Sequence, residues 1–451
     1  MIWLGDLVYL FIAVGLLFPV NGSSRFSGFA VAVVGAEERG SVEEEDGYHV
    51  ERLSRALAVT EGGQLAIDTH RGAVRVESWD KAQVEVKIEK RADVFTAAEA
   101  ERLFADFEIE IEVNGTDVQL RGRSHGDRGS PLLELSYVVK VPRRFDVELE
   151  TIGGGISVGD LQGEVRVETS KGRIEIGHII KGSVDARTSG GSVRITKIEG
   201  GNGQIYTGGG SIEVGEVTGD LNLKASGGSL RVGAVVGELL AQTAGGSIVI
   251  GRGGESIKVA TAGGSIQIDA ADGDVQVETA GGGIRVGPVG GNVLAETAGG
   301  SIQIGVSGGA IKGKTAGGSI SVEGSGGPVV VATAGGSIRV REAHGYVEAE
   351  TAGGNVEVVL AAVEKGRDMY CDLETAGGDV RVVLPEKMQA TVDADIRIDE
   401  WSGAQYDIYS DFLLTVRRDK ERWVGAKGEI NGGGHLLKLS TDNGNIHIEK
   451  R

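Results

Sequence analysis

The chain has 451 residues, 76 of them glycine and six proline, with a single cysteine, 5% aromatic residues and a formal net charge of −19. That acidity, with no basic stripe and no interleaved aromatic platform, excludes nucleic acid as a partner. Cys371, being alone, excludes an intrachain disulfide framework. A hydrophobic content of 40% is too high for a glycine-rich linker, so the glycines punctuate structure.

At the N-terminus, LVYLFIAVGLLFPV (residues 7–20) and FSGFAVAVVGA, ending at Ala36, are apolar runs. Val34, Gly35 and Ala36 supply the small residues a signal peptidase requires. However, Asp6 rather than a base precedes the first run, and Arg25 precedes only the second. Residues 1–36 are therefore expected to be a signal peptide, with the second run as the true signal behind a misplaced start, or an uncleaved membrane anchor. Export is expected on either reading, and an acidic linker follows over 37–60.

Residues 61–150 form an N-terminal β section with a first coil, a cap and a short helix. LAIDTHRGAVRV spaces Leu65, Ile67, Thr69, Val74 and Val76 by the alternation of strands. TAAEAERLF predicts an amphipathic helix over Thr96–Phe104, and EIEIEV and SYVVKV read as strands.

Over 151–385 one phrase recurs: Thr-x-Gly-Gly-x-Ile/Val-x-Ile/Val, anchored twelve times from Thr151 to Thr351, with eleven intervals of 18 or 19 residues. A fixed short period marks a solenoid whose units are stable only when stacked. In the coil opened by Thr297, Ile302 and Ile304 alternate, as do Ile311 and Gly313 before the next anchor. Each coil is therefore two short strands joined by glycine corners, with the anchoring threonine facing inward. Its hydroxyl requires a partner, either a corner backbone group or the threonine one coil away. Apolar residues also recur ten positions after the anchor, at Leu161, Ile179, Ile198, Val217, Val235 and Val289. The glycine pairs are expected to supply the positive φ of a tight reversal. Six positions after the anchor an outward row reads Glu175, Arg194, Glu213, Arg231, and no like charges are neighbours in it. Parallel in-register stacking makes that row a register device. The architecture is all-β: a single-stranded parallel β-solenoid (β-helix) with 18-residue coils.

Residues 361–372 insert six residues into one coil, and Cys371 falls in an inward slot. Residues 386–451 form a C-terminal capping section and last coil. The return of Trp401, Tyr406, Tyr409, Phe412 and Trp423 predicts an aromatic cap, and LLKLSTDNGNIHI repeats the half-motif around Thr441.

GAVRVESWDKAQVEVKIEKRAD, YVVKVPRRFDVELETIGGGISVGDLQGEVRVET and EINGGGHLLKLSTDNGNIHIEK together resemble the bacterial putative-adhesin family. That is a domain-of-unknown-function group with a parallel β-solenoid fold, and the resemblance spans about residues 60–451. It implies an exported or surface-associated protein and carries no catalytic residues with it.

Chemistry has few candidates. Calcium rolls need a carboxylate at a fixed place in each repeat. Only DAADGD, with Asp269, Asp272 and Asp274, offers an acidic corner, and a solvated turn explains it better. Glu278 and Glu296 stack one strand apart, as glycosidase carboxylates could, but their row continues through Lys314, Ala332 and Glu350 with no aromatic residue for a sugar ring. His178, His344, His435 and His447 lack metal-ligand spacing. No catalytic, cofactor-binding or metal residue is therefore assigned, and no cofactor is expected. The reading is a non-enzymatic, adhesin-like structural or binding protein of the bacterial cell envelope. Its expected partner is an envelope protein or polysaccharide, its contact with membrane is confined to the N-terminal segment, and the expected state is a monomer. The alternatives are a carbohydrate-active β-helix enzyme and a polymerising scaffold resembling bactofilins.

Overall fold

The computed structural model describes residues 38–124, 132–362, 366–400, 402, 405–419 and 422–451. The expected signal or anchor at 1–36 and the cap residue Trp401 lie outside the described residues. The described chain is a parallel β-solenoid of two sheets. One, the threonine sheet, holds 20 strands and contains every anchor. The other, the isoleucine sheet, holds 22 and receives the chain after each Gly-Gly corner.

Alternation produces this directly. In Val293–Thr297 the residues Val293, Ala295 and Thr297 are buried and Leu294 and Glu296 are not. In Ile302–Ser307 the residues Ile302 and Ile304 are buried while Gln303 is exposed. Register is kept coil to coil: Thr297 pairs with Thr279 and Thr315, and Ile302 with Ile284 and Ile320. By the same register Thr69 stacks on Thr151, and Thr375 on Thr441. The two outlying half-motifs are thus coils of the same stack.

The position ten after the anchor is a third inward point. Leu161, Ile179, Ile198, Val217, Val235 and Val289 are all buried there. Where it is Ser307 or Ser325, the hydroxyl donates to the Gly291 or Gly309 carbonyl of the preceding coil, at 2.7 and 3.1 Å.

The corner glycines differ from expectation. Those of the repeated pairs do not have positive φ, which occurs instead at Gly72, Gly163, Gly200 and a few others. What requires glycine is stacking: a Cβ on Gly300 would lie 2.2 Å from the Gly282 carbonyl oxygen of the coil before. Beside the glycines, side-chain oxygens cap successive coils. The Ser319 amide donates to Ser301 Oγ and the Ser337 amide to Ser319 Oγ, both at 3.2 Å. At the opposite corner the Asp220 amide donates to Asn202 and the Glu238 amide to Asp220, both at 2.9 Å. These bonds satisfy corner amides that the sheets leave unpaired.

Both terminal coils are covered by further chain, and the stretch expected as a linker is part of the N-terminal cover: Tyr48–Ala58 is a strand paired antiparallel with Gln83–Ala92, with Val50, Leu53 and Leu57 buried. After the Thr69 coil, strands Gln83–Ala92, Phe107–Asn114, Asp117–Ser124 and Leu133–Pro142 and helix Ala97–Ala105 intervene before the stack resumes. Leu133–Pro142 and Asp117–Ser124 pair parallel with that coil on its free side. The helix begins at the cap Thr96, whose side chain accepts the Glu99 amide. It buries Ala100 and Phe104 over the open core. Lys90 Nζ donates to the Phe104 and Phe107 carbonyls at 2.8 and 3.0 Å, closing the helix C-terminus. At the other end Ala390–Arg397 and Ile408–Ser410 lie outside the Thr441 coil. Tyr406 and Phe412 pack against the core there, and Tyr409 is exposed.

Candidate interaction surfaces

Rows of outward side chains, one per coil, cover both faces, so function has to be sought in how each row is occupied. In the row six after the anchor, Arg194 pairs with Glu213 at 2.8 Å, Arg339 with Glu357 at 2.8 Å, and Arg381 with Glu357 at 3.1 Å and, outside the row, with Glu449 at 2.7 Å. Most of these charges serve their neighbours along the stack. Two positions further on, Gly215, Gly233 and Gly251 have no side chains, so the isoleucine sheet carries a shallow open groove of about 460 Å³ walled by Arg194, Glu213 and Arg231. A second open cleft, about 580 Å³, lies among Glu386, Lys387, Gln389, Asn431 and His435, where the chain crosses the start of Ala390–Arg397.

The acidic corner resolves into separate structural roles. Asp274 accepts the Asn292 amide at 2.7 Å, Asp272 pairs with Arg252 at 2.7 Å, and Asp269 accepts from the Gln267 amide group at 2.8 Å. Glu278 and Glu296 are direct cross-strand neighbours. Burial, and then the Glu296 charge, raises the Glu278 carboxyl above its ordinary range. The next position in the row is Lys314.

His178, His435 and His447 have separate neighbours. His178 meets Glu199 at 3.1 Å, His435 lies 3.6 Å from Asp368, and His447 stacks on the Tyr409 ring at 4.9 Å. Among the described residues no three His, Cys, Asp or Glu side chains are grouped to hold a metal ion. Cys371 is fully buried, and burial pushes its thiol up to about 12. It is a small core residue rather than a nucleophile. No described helix is long and apolar enough to cross a membrane.

Sequence reasoning missed one surface feature. Five positions before successive anchors stand Pro328, Tyr346, Tyr370 and Leu436. The two tyrosine rings stack at 4.6 Å, and the Tyr370 hydroxyl donates to Glu348, which with partial burial raises that hydroxyl above its usual range. The signal was the row itself, but the six-residue insertion before Tyr370 displaced it from the 18-residue count.

The Toastrack DUF4097 family profile matches twice, over residues 62–285 and 256–449. The chain belongs to this family. Each Toastrack match takes in one terminal coil, and the two overlap in the middle of the array. There Ser256–Thr261, Ile266–Ala271, Asp274–Thr279 and Ile284–Val286 keep unbroken register with their neighbours. This Toastrack chain therefore has one continuous stack longer than a single family unit. No curated protein matches. Among solved structures, a "putative cell adhesion protein" from Clostridium sporogenes is similar at 9% identity, covering 93% of this chain and all of its own, with a TM-score of 0.15. A "putative adhesin" from Bacteroides fragilis aligns at 14% identity over 56% of this chain and 96% of its own (TM-score 0.26). Another from Parabacteroides distasonis aligns at 13% over 66% and 96% (TM-score 0.24).

Proposed function

We propose that this Toastrack protein is a non-enzymatic, exported rod of the bacterial cell envelope that presents its long flat faces to an envelope protein or polysaccharide. The observation that carries this reading is the use of the outward charges. Arg194 with Glu213, Arg339 with Glu357 and Arg381 with Glu449 are spent holding coil to coil, as a stiff scaffold requires. The glycine-floored groove supports an extended partner lying along the axis. Export rests on the apolar N-terminal runs and on Ala36 as the end of a cleavable signal. Fractionation of cells with N-terminal sequencing of the processed chain tests it. A mature protein in the envelope fraction beginning near Glu37 is expected, and an intact chain in the cytosolic fraction overturns the reading. Turnover of any acidic or neutral polysaccharide, lost in Glu278→Gln, would establish the enzyme alternative instead.

A further inference from the structure

We infer that copies of this chain join head to tail, the C-terminal end of one seating on the N-terminal end of the next through the threonine sheet.

The two ends are stepped in opposite senses. Beyond the Thr69 coil, the isoleucine sheet continues through Leu133–Pro142, Gln83–Ala92 and Tyr48–Ala58 to a last layer shared by Glu38–Arg39 and Glu43–Glu45. Among the described residues the threonine sheet adds only Asp117–Ser124 and Phe107–Asn114 there. Beyond the Thr441 coil the order reverses. Among the described residues the isoleucine sheet adds only Ile408–Ser410, while the threonine sheet continues through Ala390–Arg397, Trp423–Ile430 and Thr415–Asp419. Each end therefore overhangs by two layers, on opposite sheets.

Among the described residues only one overhang is covered. Helix Ala97–Ala105 lies under the N-terminal one with Ala100 and Phe104 buried. At the C-terminal end Val416 is 44% and Leu413 99% exposed. All five residues of Thr415–Asp419 are exposed, and among the described residues that strand pairs only with Trp423–Ile430. Long exposed strand edges invite pairing with another chain.

Direction and charge select the occupant. Ala390–Arg397 runs parallel to the stack, Trp423–Ile430 antiparallel, and Thr415–Asp419 parallel again. Phe107–Asn114 runs antiparallel to Asp117–Ser124, which is parallel to the stack. Placed head to tail, the two edges meet antiparallel, the more stable pairing. Phe107–Asn114 carries Glu108, Glu110 and Glu112 in alternation. Arg417 sits opposite Gly425, on the side of the Trp423 ring and away from the core. The join sets that guanidinium among the three carboxylates, with Asp419 two residues along on the same face. Val416 and Leu413 then come against the next copy's helix, whose exposed side has the small residues Ala98 and Ala105. Among the described residues the most exposed large apolar side chains, Phe95 at 101% and Leu413 at 99%, stand at the two ends that meet. The contact is heterologous and does not close, so it propagates. A filament continuous in the threonine sheet repeats every 20 layers, about 95 Å at roughly 4.8 Å per strand.

Light scattering of the full chain across a micromolar concentration series, with electron microscopy, tests the proposal. Mass is expected to grow stepwise from 46.8 kDa, with a filament repeat of about 95 Å. Arg417→Glu should weaken growth at least about tenfold, as should Glu108, Glu110 and Glu112 all changed to Lys, and mixing the two variants should restore pairing between unlike copies. Both changes are at exposed or half-exposed positions, and circular dichroism confirms that the fold is retained. A wild-type chain that stays at one mass, stops at a dimer, or grows equally well as Arg417→Glu overturns the proposal. The last outcome would assign association to the apolar N-terminal runs.

Discussion

The Thr297 hydroxyl donates to the Gly282 carbonyl, 2.8 Å away in the preceding coil, and accepts the Gly300 amide, 3.3 Å away in its own. The same pair of bonds recurs at Thr261, Thr279, Thr315, Thr333 and Thr351. One glycine per corner is thus donor to its own threonine and acceptor from the next, and this explains why the phrase pairs threonine with glycine three residues on. Thr297→Val keeps the shape and removes both bonds. It should cost about 1–2 kcal/mol, because the half-buried Gly282 carbonyl loses its side-chain donor. Ala225 is the one array anchor with no hydroxyl, so Ala225→Thr should gain about 1 kcal/mol. Urea midpoints of the two variants check both signs, and a neutral Thr297→Val would mean that water replaces the hydroxyl.

Ile302 is fully buried and its neighbour Gln303 exposed. Ile302→Asp places a charge in an aliphatic interior with no partner and should cost more than about 3 kcal/mol. Gln303 lies between Arg285 and Ser321 in register, so Gln303→Asp should be neutral or slightly favourable. Melting curves that fall equally for the two would be incompatible with the inward and outward assignment.

Much of this was legible in the sequence because the physics involved is local and periodic. The period of two at Ile302 and Ile304, the inward slot of Cys371 and the helix after Thr96 all follow from side-chain spacing. The partner of the threonine hydroxyl did not, since its choice between the corner and the next threonine depends on how closely successive corners stack. The glycine pairs were misread for the same reason. Their φ is ordinary, and what forbids a side chain is the coil beneath. Tyr370 and the stepped ends escaped because insertion and non-sequential pairing break the period. Asp269, Asp272 and Asp274, close in the sequence, each hold a different partner.

The stacking account predicts unequal roles within one glycine pair. A Cβ on Gly300 would sit 2.2 Å from the Gly282 oxygen, whereas on Gly299 the nearest atom is 3.2 Å away. Gly300→Ala has to shift a backbone carbonyl and should lose more than about 2 kcal/mol, whereas Gly299→Ala needs only a few tenths of an ångström and should lose under about 1 kcal/mol. If positive φ governed the corner, the two positions would not rank by these distances in chemical denaturation.

The Glu278 and Glu296 pair offers a pH test of the stack. Burial and the neighbouring charge both raise the Glu278 carboxyl, and Lys258 opposes them. Its folded value therefore lies above that of the unfolded chain. At a pH below the unfolded value both states hold the proton and the site costs nothing. As pH rises, the unfolded chain releases its proton first, so stability falls through the ordinary carboxylate range up to the raised folded value, and the loss persists at neutral pH. Glu278→Gln should thus be more stable than the wild type at pH 7 by about 0.2–1 kcal/mol, with the advantage vanishing on acidification. Glu296→Gln should give a smaller gain, since it removes the neighbouring charge but not the burial. Urea titrations of the three proteins from pH 3 to 7 check this, and a Glu278→Gln no more stable than the wild type at pH 7 would mean that the stack does not penalise this carboxylate.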